Sequence, residues 1–269
     1  MSIEQVAKAC RSLLETDEAE TTRNYLDGRL NMETQDLFGF GYFSNANQLS
    51  LLTSHIAEDI LLEEKLMYRR DMTDAQSARS VPVLFFENHP IIIPYRNVYG
   101  KAIALVGRSL LNDKEREAAG ISKYKNTVFK KSQHLFGLYE AKTAILDSGF
   151  VYVVEGQFDV IKAFEKGIKN IVAVGNSNLS GYQVGLLCRY TQNIVLLFDN
   201  DEAGQIGSGR AIYKFSKHAN ILNKVLPTGY KDIDDYLGEN SANDLMHNLA
   251  LPFTERFGHR AELCLEFSF

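Results

Sequence analysis

Six acidic residues follow the ends of three short apolar runs. Glu155 comes directly after the run 151–154, and Asp159 lies one helical turn further on. Asp199 and Asp201 follow the run 194–198, and Asp232 and Asp234 follow 221–226 beyond Pro227-Thr228-Gly229. Carboxylates gathered within a few ångströms of one another cannot all stay ionised cheaply unless a cation sits among them. An all-oxygen set with no His or Cys nearby suits Mg²⁺ or Mn²⁺ rather than zinc, and carboxylate sites holding two or more such ions serve phosphoryl chemistry. Glu155 alone would read as a solvated loop residue or a helix cap. Three acidic loops together favour a metal site, with Glu155, Asp199, Asp201, Asp232 and Asp234 as ligands. Asp159 is expected to orient its neighbours, Gly156 to let the chain turn after Glu155, and Gly204 to support the second loop.

The elements that must position these residues are legible around them. Apolar runs at 151–154, 171–174, 194–198 and 221–226 alternate with helical patterns at 160–166, 182–189 and 203–215. That alternation predicts an α/β doubly wound parallel sheet with its ligand site at the carboxyl ends of the strands, so the three acidic loops should open along one edge. Upstream the pattern is mixed α+β. Ile3, Val6, Ala7, Cys10, Leu13 and Leu14 share one helical face; Thr16-Asp17 or Thr21-Thr22 would cap a following helix, and a third helix is expected over 54–68. Residues 73–80 read as a polar loop. The runs 83–86, 91–95 and 101–106 read as a small antiparallel sheet with a turn at 97–100, and residues 112–120 as an exposed loop or short helix. The expected division is 1–148, 149–240 and a carboxy-terminal extension 241–269.

The composition is that of a folded globular protein: 269 residues, 45% apolar, with only five prolines. No apolar run approaches the roughly 20 residues of a membrane span, and the first residues lack a secretory apolar block, so a cytoplasmic protein with no membrane partner is expected. Cys10, Cys188 and Cys264 are scattered and support neither a zinc ribbon nor a disulfide framework. The formal net charge of -5 conceals an uneven distribution. Between residues 96 and 142 bases outnumber acids, including Arg108, Lys123 and Lys131, whereas acids dominate the first 75 residues and recur between 199 and 239. A basic segment just before an acidic site suits a groove in which phosphates bridge both charges. Tyr124, Phe129 and Phe136 interleave with these lysines; core packing is the better reading for the two phenylalanines.

Glu155-Gly156-Gln157-Phe158-Asp159 followed by Asp199-Asn200-Asp201-Glu202-Ala203-Gly204 resembles the TOPRIM signature shared by bacterial primases, topoisomerases and some nucleases. Four further stretches resemble DnaG-like primases: residues 91–95 with Gly107-Arg108, Ser122-Lys123-Tyr124-Lys125-Asn126-Thr127, Phe129-Lys130-Lys131 with Leu135-Phe136-Gly137-Leu138, and Lys231-Asp232-Ile233-Asp234-Asp235-Tyr236-Leu237. The resemblance spans roughly residues 25–237. It implies a primase catalytic core that makes RNA primers from ribonucleoside triphosphates on a single-stranded DNA template. It further implies catalysis by Glu155, Asp199 and Asp201, two or more Mg²⁺ or Mn²⁺ ions, and phosphate or template contacts from Arg108, Lys123 and Lys131.

Two departures stand out. Such primases carry an amino-terminal zinc-binding module and a carboxy-terminal helicase-binding module; neither is expected here, which would make the chain an excised core or a compact version of phage or mobile-element type. A replicative helicase or a separate zinc-binding protein would then be its partner in a bacterial or phage-infected cell. The loop after residue 174 holds Asn176-Ser177-Asn178 where the family has glycine and threonine. The competing readings are a TOPRIM nuclease and a degenerate DNA-binding replisome adaptor.

Overall fold

The computed structural model describes residues 3–74 and 77–249. The chain divides into two units, Met1–Arg96 with Lys101–Phe129, and Asn97–Gly100 with Lys130–Phe269.

The first unit runs α1 (Ile3–Leu13), α2 (Glu20–Asp27), α3 (Met32–Phe38), β1 (Gly41–Tyr42), α4 (Leu49–His55), α5 (Glu58–Glu63), β2 (Met67–Asp74), β3 (Ser77–Leu84), β4 (Ile91–Arg96), β5 (Ala102–Arg108), α6 (Asp113–Ala119) and β6 (Tyr124–Asn126). Its main sheet has the antiparallel order β1-β4-β5-β6. The apolar face read from the sequence of α1 buries Val6, Ala7, Cys10 and Leu13, and the helix packs on β1, β4 and β5. At residues 112–120 the short-helix alternative holds: Asn112 and Glu115 form a reciprocal capping box at the start of α6.

Several local expectations fail. Residues 54–68 are not one helix: Ile56 is extended after α4, and Lys65, at φ 57, ends the turn after α5 before β2 begins. Thr21 and Thr22 lie inside α2, and the Thr16 hydroxyl donates to Leu13 O instead of capping the short 3-10 turn that follows. Of the expected loop 73–80, residues 73–74 and 77–80 lie in paired strands instead, with β2 and β3 in antiparallel register from Met67↔Leu84 to Asp74↔Ser77; residues 75–76 lie outside the described residues. Tyr68 and Val81 on that ribbon are exposed, so the period-2 alternation that marks a half-buried strand is missing there. Residues 83–84 therefore belong to this separate two-stranded ribbon, not to the main sheet.

The second unit runs α7 (Leu138–Ser148), β7 (Val151–Val154), α8 (Gln157–Glu165), β8 (Ile171–Ala173), α9 (Gly181–Leu187), β9 (Asn193–Leu196), α10 (Glu202–Phe215), β10 (Asn220–Asn223), α11 (Ile233–Glu239) and α12 (Ala242–Leu249). The strands are parallel in the order β10-β9-β7-β8, a TOPRIM-type α/β sheet. All of β7 and β8 is buried, as expected when a parallel sheet is covered on both faces. The chain moves from β7 outward to β8 and then returns past β7 to β9. The gap between β7 and β9 is thus the point where strand order reverses, and in open α/β sheets ligands bind outside the carboxyl ends of the strands at that point.

Cys10 is buried and burial pushes its thiol up to about 12, so it packs as an inert apolar group; Cys188 is partly exposed. Cys264 and most of the extension 241–269 lie outside the described residues.

Candidate metal and phosphate site

The two acidic loops nearest the reversal point come from β7 and β9. Glu155 leaves β7 and its Oε1 accepts from Asp199 N at 3.3 Å, which joins the two strand ends across the reversal point. Asp201 is the N-cap of α10, accepting from Gly204 N at 2.8 Å, and Asp232 is the N-cap of α11, accepting from Asp235 N at 2.8 Å. Capping engages one carboxylate oxygen of each side chain in these contacts, so the structural role and a ligand role are compatible.

Asp159 is buried and bridges two of the loops. Its Oδ2 accepts from Gly156 N at 3.0 Å and its Oδ1 accepts from Asp234 N at 3.1 Å, tying the start of α8 to the start of α11. Gly156 needs no unusual backbone, with φ -100 and ψ 151, so it does not serve the turn expected of it. What excludes a side chain there is Asp159 itself: a Cβ would stand 2.5 Å from its Oδ2. Gly204 is more confined still, since a Cβ would lie 2.3 Å from Asp199 O and 2.9 Å from Glu155 Oε1.

The acids also act on one another electrostatically. Burial, reinforced by the charges of Asp199 and Asp201 and only partly relieved by the hydrogen bond from Asp199 N and by Lys231, pushes Glu155 up to about 7. Burial together with the charges of Asp232, Asp199 and Asp234 holds Asp159 well above the carboxylate range. This excess of negative charge on oxygen donors fits a hard divalent cation. Among the described residues no group of three or more His, Cys, Asp or Glu side chains is placed so that together they could hold a metal ion. Mg²⁺ ordinarily takes one or two carboxylates and completes its shell with water and substrate phosphate.

Of the bases, Arg108 and Lys123 fall in the first unit and Lys131 in the second. Arg108 is buried at the end of β5; its Nη1 donates to Tyr124 OH at 2.8 Å and its Nη2 to Tyr25 OH at 2.6 Å. Arg108 and Lys123 line one cavity of about 620 Å³ together with Tyr25, Arg29, Lys114 and Arg116. Sequence reasoning missed Tyr25 and Arg29, which sit on and just after α2, some eighty residues before Arg108, with no local signal linking them. Tyr124 packs its ring beside Arg108 and Lys123, at 5.5 and 5.6 Å from the ring centre. Phe136 is buried and exchanges backbone hydrogen bonds with Ala173 at 2.9 and 3.0 Å, while Phe129 packs on Tyr95, so both phenylalanines serve the core. Lys131 is half-buried, burial lowers its pKa, and its Cδ is 3.7 Å from where a Cβ on Gly175 would sit. Asn178 N donates to Asn176 Oδ1 at 2.9 Å in the variant loop after β8.

The fold and site together define a TOPRIM-type α/β protein: a mixed α+β unit followed in the chain by a parallel sheet with acids at its strand-order reversal. Residues 9–142 match the family model described as the DNA primase catalytic core, N-terminal domain, and residues 152–237 match Toprim-like. The DNA primase of Aquifex aeolicus is 36% identical over 156 residues, covering 58% of this chain and 31% of that protein. A crystal structure of the zinc binding and RNA polymerase domains of the Aquifex aeolicus primase superposes with a TM-score of 0.70 at 29% identity, covering 91% of this chain and 59% of that one. A DNA primase domain from Pseudomonas aeruginosa gives 0.69 at 27% identity, covering 90% and 75%. The chain belongs to the DnaG-like primase family as a catalytic core with a TOPRIM domain. It spans 31% and 41% of the length of the Aquifex aeolicus and Thermotoga maritima DNA primases that it matches. Among the described residues no helix is long and apolar enough to cross a membrane.

Proposed function

We propose that the chain synthesises short RNA primers from ribonucleoside triphosphates on a single-stranded DNA template. Residues 149–240 would be the catalytic domain and residues 1–148 would carry the basic template and nucleotide contacts. Glu155, Asp199, Asp201, Asp232 and Asp234 would hold two or more Mg²⁺ or Mn²⁺ ions. Bound there, such ions neutralise the charge that develops on the transferring phosphoryl group. Asp159 keeps the loops bearing Glu155 and Asp234 in register. Arg108, presented by the two tyrosine hydroxyls, offers a fork suited to phosphate, with Lys123 beside it in the same cavity, and Lys131 would supply a phosphate or template contact of its own. A replicative helicase or a separate zinc-binding protein would complete the system.

The observation that carries this reading is the meeting of the β7 and β9 ends at the strand-order reversal, where Glu155 Oε1 accepts from Asp199 N at 3.3 Å and burial, reinforced by the charges of Asp199 and Asp201, raises Glu155 to about 7. The test is incubation with single-stranded DNA, Mg²⁺ and labelled ribonucleotides. Labelled RNA that disappears in a folded Asp201→Ala variant supports the reading. Full activity in that variant refutes the metal assignment, and shortened DNA without labelled product indicates a nuclease.

A further inference from the structure

The residue between the two aspartates of the second acidic loop is an asparagine whose side chain faces another loop altogether. Asn200 Nδ2 donates to Leu226 O at 3.0 Å and to Tyr230 O at 3.0 Å, and Asn200 N donates to Lys231 O at 2.8 Å. The carboxamide therefore spends both of its hydrogens on the two ends of the turn at residues 226–230, while its backbone takes the next carbonyl along. Lys231 N in turn donates to Asp235 Oδ2 at 3.1 Å, and Asp232 caps α11 directly afterwards. In sequence the acids of β9 and those before α11 are some thirty residues apart. The Asn200 side chain bonds the one loop to the other.

We propose that Asn200 is a positioning residue that fixes Asp232 and Asp234 relative to Asp199 and Asp201, and so sets the geometry in which a divalent ion is shared between the loops. Only a side chain with two donors on one atom can satisfy both carbonyls. An aspartate would place a carboxylate oxygen against them, and an alanine would leave them to water. Partners that orient metal-binding carboxylates ordinarily change metal affinity by about 10–100-fold when removed.

The inference rests on the metal reading above, and the experiment separates the two. Mn²⁺ alone is titrated into the full chain, with free Mn²⁺ followed by electron paramagnetic resonance, for the native sequence, Asn200→Ala, Asp232→Asn and the double variant; Asn200→Ser, which keeps one donor, replaces Asn200→Ala if that variant does not fold. Asn200→Ala is expected to weaken Mn²⁺ binding by about 10-fold or more and to add little to the loss from Asp232→Asn, because both act through one loop. In metal-free protein, amide exchange should quicken over residues 226–235 and stay unchanged over 151–156. Native affinity in folded Asn200→Ala, or additive losses in the double variant, overturns the positioning role and leaves the metal reading standing. A native chain that binds no Mn²⁺ overturns both.

Discussion

Replacing Glu155 by glutamine should stabilise the metal-free protein and weaken its response to metal. Glu155 rises from 4.5 to about 7 in the fold, through burial first and then the charges of Asp199 and Asp201. A carboxyl whose pKa is raised by folding contributes stability that is fully present below its unfolded value and is lost as pH climbs through the folded one. The window is therefore pH 4.5 to about 7. At about 1.4 kcal/mol per pH unit the full effect would be about 3 kcal/mol, and water reaching a half-open group reduces this to about 1–2 kcal/mol. Glutamine keeps an oxygen to accept from Asp199 N but carries no charge. In chelator at pH 8, Glu155→Gln should melt about 2–6 °C above the native chain, and the difference should shrink towards zero by pH 5. Saturating Mg²⁺ should then raise the native chain more than the variant. The assay is thermal unfolding by circular dichroism over this pH range, with and without Mg²⁺. A variant that is less stable than native at pH 8 in chelator, or a difference independent of pH, refutes the account of a shared negative field.

Gly204→Ala should cost about 1–3 kcal/mol and abolish Mn²⁺ binding, because the new methyl would meet Asp199 O and Glu155 Oε1. Gly209→Ala in the same helix, with nothing within 4 Å, should instead gain up to about 1 kcal/mol; urea unfolding compares the pair. Asp159→Asn turns one of two accepting oxygens into a donor facing a backbone N–H, and should destabilise by about 1–3 kcal/mol at neutral pH in the same assay. Arg108→Ala should weaken binding of single-stranded DNA alike across sequences and lower the slope of log affinity against log salt by about one, read by fluorescence anisotropy. Tyr25→Phe, which removes one hydroxyl from the Arg108 guanidinium, should move the same readout in the same direction by a smaller amount.

Much of this protein was written in local pattern. The four strand runs of the second unit stand within a few residues of where their apolar character places them: β7, β8 and most of β9 are continuously buried, as strands covered on both faces must be, while the edge strand β10 buries only Ile221. For the same reason the acids that end those strands could be named before any coordinates. What local pattern could not carry was the pairing of distant segments. The ribbon of β2 and β3 read in part as helix and loop because exposed Tyr68 and Val81 set no buried period, and its register rests on the pairing of the two strands. Tyr25 and Arg29 joined the Arg108 cavity without any mark in their own neighbourhood, and Gly156 proved to matter for the carboxylate beside it rather than for its backbone angles. Asn200 bears no local mark of its role, because its partners, Leu226 O and Tyr230 O, come from the turn at 226–230. Residue type and period declare which face of an element is buried and which chemistry it can perform; which other loop a side chain will bond is decided only when the packed sheet brings the strand ends together.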